Sequence, residues 1–278
     1  EVTSNGTTNI TAFTSNGFTY GASSLIDTGA GTPCTWLWKA NGAGSANTDG
    51  TVNSTVSVNS TSGFSIVSWT HNGNANYTVG HGLGATPRMI FAKTRSSSAN
   101  WDVYQAELST GNRLILNSTG GQVSGYWGAN TVNNNTFSVG SALASNGTTM
   151  IAYCFADVQG YSKFGRFTAN GSTDNAFVYT GFKPAFVMMK CDNVTDGWSK
   201  WYMFDTARSP ENMNVKELEA NTTAVESSSG ADYAQIDMLS NGFKLRNGSA
   251  WGPASSGNTS VYMAFAEAPL VGSNNVPC

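Results

Sequence analysis

Charge is what this sequence has least of. Lys, Arg, Asp and Glu make up 11% of its 278 residues, against about 25% in an ordinary globular chain. The net charge is −3 and the pI about 5.3. No cluster of Lys and Arg appears, so the electrostatic footprint of a nucleic-acid binder is missing and no such partner is expected. No apolar run approaches the ~20 residues of a membrane-crossing helix, so no membrane insertion is expected. The first residues have neither the basic end nor the apolar core of a signal peptide. Of the four cysteines, Cys34, Cys154, Cys191 and Cys278, none falls in a Cys-x-x-Cys pair. Zinc is therefore not expected, and disulfides are permitted but not implied. Cys154 lies inside an apolar run and reads as a small buried hydrophobe.

Polarity comes instead from Asn, Ser, Thr and Gly. Asn, Ser and Thr compete with the helix for backbone hydrogen bonds, and Gly is too flexible for it. The mixture favours short strands joined by many turns. Two phrases recur within it. An apolar run closed by a carboxylate appears as Met150-Ile-Ala-Tyr-Cys-Phe-Ala-Asp157 and as Val261-Tyr-Met-Ala-Phe-Ala-Glu267, with a looser copy at Thr35-Trp-Leu-Trp-Lys-Ala40. Each run is preceded by a turn phrase: Ser240-Asn-Gly-Phe243, Asn134-Asn-Thr-Phe137 and Ser15-Asn-Gly-Phe18.

Between these landmarks the order repeats. Arg88-Met-Ile-Phe-Ala-Lys-Thr94 after Pro87 matches Ala185-Phe-Val-Met-Met-Lys190 after Pro184, and Trp101-Asp-Val-Tyr-Gln105 matches Trp201-Tyr-Met-Phe-Asp205. The offset grows from 97 residues at the prolines to 100 at the tryptophans and 110 at the apolar runs. Insertions have fallen in the loops while the strands were kept. The period is domain-sized, longer than the ~20–50 residues of a solenoid.

The sequence thus divides into residues 1–42, the C-terminal part of a truncated repeat; 43–62, a Gly/Ser/Asn/Thr-rich linker carrying one weak strand; 63–159, a first repeat unit; and 160–278, a second. The chain opens inside a pattern, as a fragment of a longer array would. Short strands separated by turns every ~8–12 residues predict an all-β fold of tandem antiparallel β-sandwich units with Gly/Asn/Ser-rich loops. One segment, Pro210–Ala220, invites a helix, with Pro210 at the first helical position. Its place matches strand Asn112–Ser118 of the first unit, so one turn at most is expected.

These phrases together resemble a repeat family of tail-fibre and other virion surface proteins of tailed phages, especially phages of aquatic bacteria. The resemblance lies in Gly63-Phe-Ser-Ile66, the Val79-Gly-His-Gly-Leu-Gly-Ala-Thr-Pro87 turn and the strand after it. It continues in the Trp101 phrase, Ser-Asn-Gly-Phe, and the final run into Ala268-Pro269. The second copy departs from it, with Tyr179-Thr-Gly-Phe-Lys-Pro184 in place of the His-Gly-Leu turn. The resemblance covers nearly the whole chain. It implies a structural or adhesive virion part on the particle surface, with other copies of itself and other virion proteins as partners. Homotrimerisation follows by analogy with fibres. No catalytic residues carry over from it.

Candidate chemistry is sparse. His81 has no ligand partner nearer in sequence than His71, and a metal needs convergent ligands; it reads as a hydrogen-bonded turn residue. Asp102, Glu107, Asp157, Asp205 and Glu267 are scattered singly, whereas glycoside hydrolysis needs a pair facing across a cleft. Asp192-Asn-Val-Thr-Asp-Gly197 lacks the downstream Glu of a calcium loop and reads as a polar turn. No catalytic residue, cofactor or metal is expected. Tyr126 and Trp127, in Ser-Gly-Tyr-Trp-Gly, and Trp251, in Ala-Trp-Gly-Pro, are candidate contacts for a host-surface glycan or receptor, because aromatic faces cover the apolar patches of sugars. The competing reading makes the same rings anchors that pin loops to a sandwich core.

Overall fold

The computed structural model describes residues 10–21, 34–125, 127, 131–227, 234–247 and 251–267. It divides into two compact units, Glu1–Lys39 and Ala40–Cys278. In the first, β1 (Ile10–Thr14) and β2 (Gly17–Tyr20) form an antiparallel hairpin with Phe13 opposite Phe18 and Thr14 opposite Gly17. The two-residue loop is Ser15-Asn16, so this copy of the recurring phrase is a hairpin turn and the start of its returning strand.

The second unit holds both full repeats. The first comprises β3 (Ser45–Asn47), β4 (Ser54–Asn59), β5 (Phe64–Thr70), β6 (Tyr77–Gly80), β7 (Met89–Thr94), β8 (Asp102–Gln105), β9 (Asn112–Ile115), β10 (Val123–Ser124), β11 (Thr136–Val139) and β12 (Thr149–Phe155). The second comprises β13 (Ser162–Thr168), β14 (Phe177–Tyr179), β15 (Pro184–Cys191), β16 (Tyr202–Asp205), β17 (Leu218–Glu219), β18 (Ile236–Leu239), β19 (Gly242–Leu245) and β20 (Thr259–Ala266). A single 3-10 turn spans Gly252–Ala254.

The larger sheets run β10-β9-β8-β7-β12-β5-β4-β3 and β13-β20-β15-β16-β17; the smaller ones are β11-β6 and β14-β19-β18. Taken strand for strand, β5, β12, β7, β8 and β9 stand in the same order as β13, β20, β15, β16 and β17. The smaller pair β6 and β11 corresponds to β14 and β19. All pairings between these strands are antiparallel. The recurring apolar run is thus an interior strand of each larger sheet. It must be apolar because strands flank it on both sides and layers cover both its faces.

Two separate cores result, one in each repeat. Met150, Ala152 and Cys154 of β12 point into the first beside Val67, Trp69 and Phe137. Tyr262, Ala264 and Ala266 of β20 point into the second beside Phe204, Phe243 and Trp251. The opposite faces of the larger sheets are not simply solvated. Val261, Met263 and Phe265, on the reverse of β20, are buried as well. Phe155 meets Phe164 and Phe265 at ring separations of 5.9 and 6.0 Å. Trp201 lies 6.4 Å from Phe91 and donates its indole N–H to the carbonyl of Ile115 at 2.9 Å. The two repeats are therefore joined by a third apolar layer.

The linker expected at 43–62 is corrected. It contributes β3 and β4, and β4 pairs along the whole of β5, from Ser54 opposite Trp69 to Asn59 opposite Phe64. Its valines alternate in two-residue steps, so Val56 reaches the core while Thr55 faces solvent. The boundary of the first unit falls at Lys39 rather than 42. The Pro210–Ala220 segment forms no helical turn: Asn214 bridges to Ile236 and Leu218–Glu219 pairs with β16. Sheet pairing outweighs a local preference worth only tenths of a kcal/mol per residue.

Candidate functional site

The candidate contact residues do not meet on one surface. Tyr126 lies outside the described residues. Trp127 and Trp251 are 0% and 2% exposed, which corrects their assignment as glycan contacts: a ring without an open face cannot cover a sugar. Trp127 packs edge-on against Tyr104 and Phe137, at 5.8 and 6.3 Å. Trp251 packs against Tyr202 and Phe204, at 5.1 and 6.2 Å. Tyr104 of β8 and Phe204 of β16 occupy equivalent places. Each repeat thus buries one indole against the same strand, but from different connections. Trp127 precedes β11, whereas Trp251 follows β19. The glycine-rich flanks gave no sign of this, since glycine serves an exposed loop and a loop pinned by an inserted ring equally well.

Both histidines are buried pins. Leu83 N–H donates to His81 Nδ1 at 3.2 Å, and Nε2 lies 3.0 Å from the Asn133 carbonyl. That pattern places the proton on Nε2, and burial holds the ring below its usual pKa. His71 repeats the arrangement, with Gly73 N–H on Nδ1 and the Gly140 carbonyl at Nε2.

The carboxylates are taken up singly. Asp102 pairs with Arg113, both buried. Asp205 accepts from Arg208 Nε at 2.7 Å. Asp157 accepts from the backbone of Phe164 and from Lys163 Nζ. Among the described residues no group of three or more His, Cys, Asp or Glu converges on a point that would hold a metal. The polar turn at Asp192 belongs to the seam between the repeats. Arg166 Nε stands 2.7 Å from Asp192 Oδ2, Gln122 of the first repeat donates to the same oxygen at 3.2 Å, and Thr259 donates to Oδ1.

Two buried groups escaped the sequence reading because nothing local marks them. Lys190 is fully buried on the reverse of β15. It donates to the Ser199 carbonyl and sits 5.8 Å from the Trp201 ring centre. Burial pushes its pKa down to about 8. Glu217 is 4% exposed and accepts from Ala234 N–H. Burial first, then the neighbouring Glu219 charge, raises its carboxyl from 4.5 to about 7. A carboxyl raised on folding stabilises the fold below pH 4.5, and that contribution is lost as pH climbs through 7. Wild-type unfolding free energy should therefore fall between pH 5 and 8 by about 1–3 kcal/mol more than that of Glu217→Gln. Urea titrations at the two pH values check this; parallel losses in both proteins would show that Glu217 is not protonated in the fold.

A concavity among the described residues offers a place for a ligand. A shallow groove of about 390 Å³ lies at the ends of β4, β5 and β12. Its wall carries the hydroxyls of Ser54, Thr55, Ser68 and Thr149, the Asn53 amide and Arg95, over a floor of Trp69 and Met150. No carboxylate, imidazole or thiol lines it. Its lining offers hydroxyls and an amide as hydrogen-bonding groups, beside the Arg95 side chain.

Fold and groove define a class: an all-β protein of tandem antiparallel sandwiches with a polar groove on its surface. The chain belongs to the family described as "Domain of unknown function (DUF7483)", whose model matches residues 1–269 and so runs through both units. Comparison with curated proteins found no match, and comparison with solved structures found none either.

Proposed function

We propose that this chain is a non-enzymatic structural and adhesive component of a phage virion, a tail fibre or surface fibre that contacts the host. The duplication carries the reading. Two sandwiches share one strand order, keep separate cores and meet along a filled apolar seam. Among the described residues such a junction is packed with side chains, which suits a scaffold. The resemblance of the recurring phrases to virion repeat proteins points the same way. The chain assembles with other copies of itself and with other virion proteins. The polar groove, not the buried indoles, is where a host-surface glycan would be held.

The test has two arms. Antibody labelling of purified particles should place the chain on an outer fibre; label confined to the capsid shell would make it a decorating subunit, and absence from particles would end the virion reading. Host surface polysaccharide should be retained by the wild-type chain and at least about tenfold less by Arg95→Ala, the loss of one charge-assisted pair. Equal retention would remove the groove from the contact.

A further inference from the structure

In the first repeat, the smaller sheet has its outer edge closed. The backbone of β6 alternates: Tyr77 and Val79 bond to β11, while Thr78 and Gly80 point away from it. Those outward groups are met by the segment leading into β4. Val52 N–H donates to the Thr78 carbonyl, Thr78 N–H to Thr51 Oγ1, and Ser54 Oγ to the Gly80 carbonyl. The cover is close. A Cβ on Gly80 would fall 1.6 Å from Asn47 Oδ1, and one on Gly50 2.5 Å from the Thr78 carbonyl oxygen.

The same edge of the second repeat is open among the described residues. Val178 of β14 corresponds to Val79: both are core residues, opposite Phe243 and Phe137 respectively. Phe177 then corresponds to Thr78 and Tyr179 to Gly80. Their backbone N–H and C=O groups point away from β19, and β14 ends its sheet. The first repeat's covering hairpin has no counterpart between β12 and β13, which only a short turn separates. Aromatic rings stand where the first repeat has Thr and Gly, 44% exposed at Phe177 and 66% at Tyr179. Natural edges are guarded by shortness, charge, proline or a bulge; β14 is only three residues long, but no charge, proline or bulge interrupts it.

We infer that β14 is a self-association edge, where a second copy of this chain pairs antiparallel about a twofold axis at Val178. That register is self-complementary. Phe177 stands opposite the partner's Tyr179, and the two outward-facing residues of each strand exchange all their backbone bonds with the partner. Each Phe ring then lies beside a Tyr ring on one face, the pairing that stabilises sheets most. Exposed Lys183 follows the strand, while Asp174 before it is held by Lys244 and Arg246 of its own chain; the pairing rests on the backbone and the rings, not on charge. The two three-stranded sheets become one of six strands. An edge of three residues is at the small end of interfaces, so the dimer should depend on concentration. The edge is a property of the sheet and pairs in the same way whatever particle carries the chain.

Sedimentation of the full chain tests it. Mass should rise with concentration from 29.2 kDa toward twice that value, while the Phe177 and Tyr179 amides gain protection from hydrogen exchange. The double substitution Phe177→Lys and Tyr179→Lys puts Lys opposite Lys across the axis and should weaken the dimer at least about tenfold. Compared at concentrations where both proteins are monomeric, its melting temperature should change little, because neither side chain is part of the core. Trp198→Lys, at an exposed aromatic in a loop, should dimerise as the wild type does. A wild-type chain that stays monomeric up to its solubility limit overturns the inference. So does any assembly, a trimer included, that survives the double substitution, or a dimer that leaves those two amides unprotected.

Discussion

Trp127→Ala is expected to lower the unfolding free energy by about 3–5 kcal/mol, and Trp251→Ala by about as much. An indole buries on the order of 150–250 Å². At roughly 25 cal/mol per Å² its transfer alone is worth ~4–6 kcal/mol, before any cavity left by incomplete collapse. Each ring is nearly fully enclosed and holds a glycine-rich loop to its strand through ring contacts. Because the two cores are separate clusters, the two losses should add within about 0.5 kcal/mol in the double variant. Trp→Phe at either site should recover most of the loss. Denaturant unfolding of the wild type, the two alanine variants, their double and the two phenylalanine variants measures all of this. A loss under about 1 kcal/mol at either site would mean that the ring is not a core anchor.

Asp192→Ala is the second large effect. Its carboxylate is fully buried, 2.7 Å from Arg166 Nε and in reach of Gln122 and Thr259. Removing one partner of a buried charge pair costs about 3–5 kcal/mol, chiefly because the other charge is left uncompensated. Here the damage should reach across the seam. The Asp192 carbonyl accepts from Gln122 N–H at 2.8 Å, and Thr195 Oγ1 accepts from Gly121 N–H at 3.0 Å. Gly121 is packed so closely that a Cβ would lie 3.0 Å from the carbonyl oxygens of Asp192 and Val194. The variant should therefore lose hydrogen-exchange protection at Gly121 and Gln122, and its repeats should unfold in two steps instead of one. Asp192→Asn, which keeps the shape without the charge, should fall between. A single transition with those amides still protected would show that the apolar layer alone couples the repeats.

Much of the fold was legible because strand signals are local. Short runs rich in Val, Ile, Phe, Tyr and Met, separated by turn residues, mark β5, β7, β12, β15 and β20. The phrase Ser-Asn-Gly-Phe marks a hairpin turn, since the second repeat closes β18 onto β19 at Ser240-Asn241 with Leu239 opposite Gly242, as β1 closes onto β2. The tandem copies followed from the order of such phrases. Of the two strands at 45–59 the residues suggest only one weak one, inside a linker, because Ser, Thr and Asn outnumber the valines. What makes them strands is the open edge of β5, which lies several residues further along the chain.

The site was harder to read, for a related reason. A Trp between glycines has the same neighbours in sequence whether it projects or inserts, and only the space above β8 and β16 decided that both indoles insert. Lys190 continues an apolar strand without a break, and its burial comes from a seam formed with a distant repeat. From the residues alone, this protein was determined to be a duplicated all-strand chain, because side-chain period and turn chemistry act over a few positions. Which faces are covered, which charges are buried and which edge stays open belong to the tertiary structure, because each depends on segments far apart in the chain that meet only when it folds.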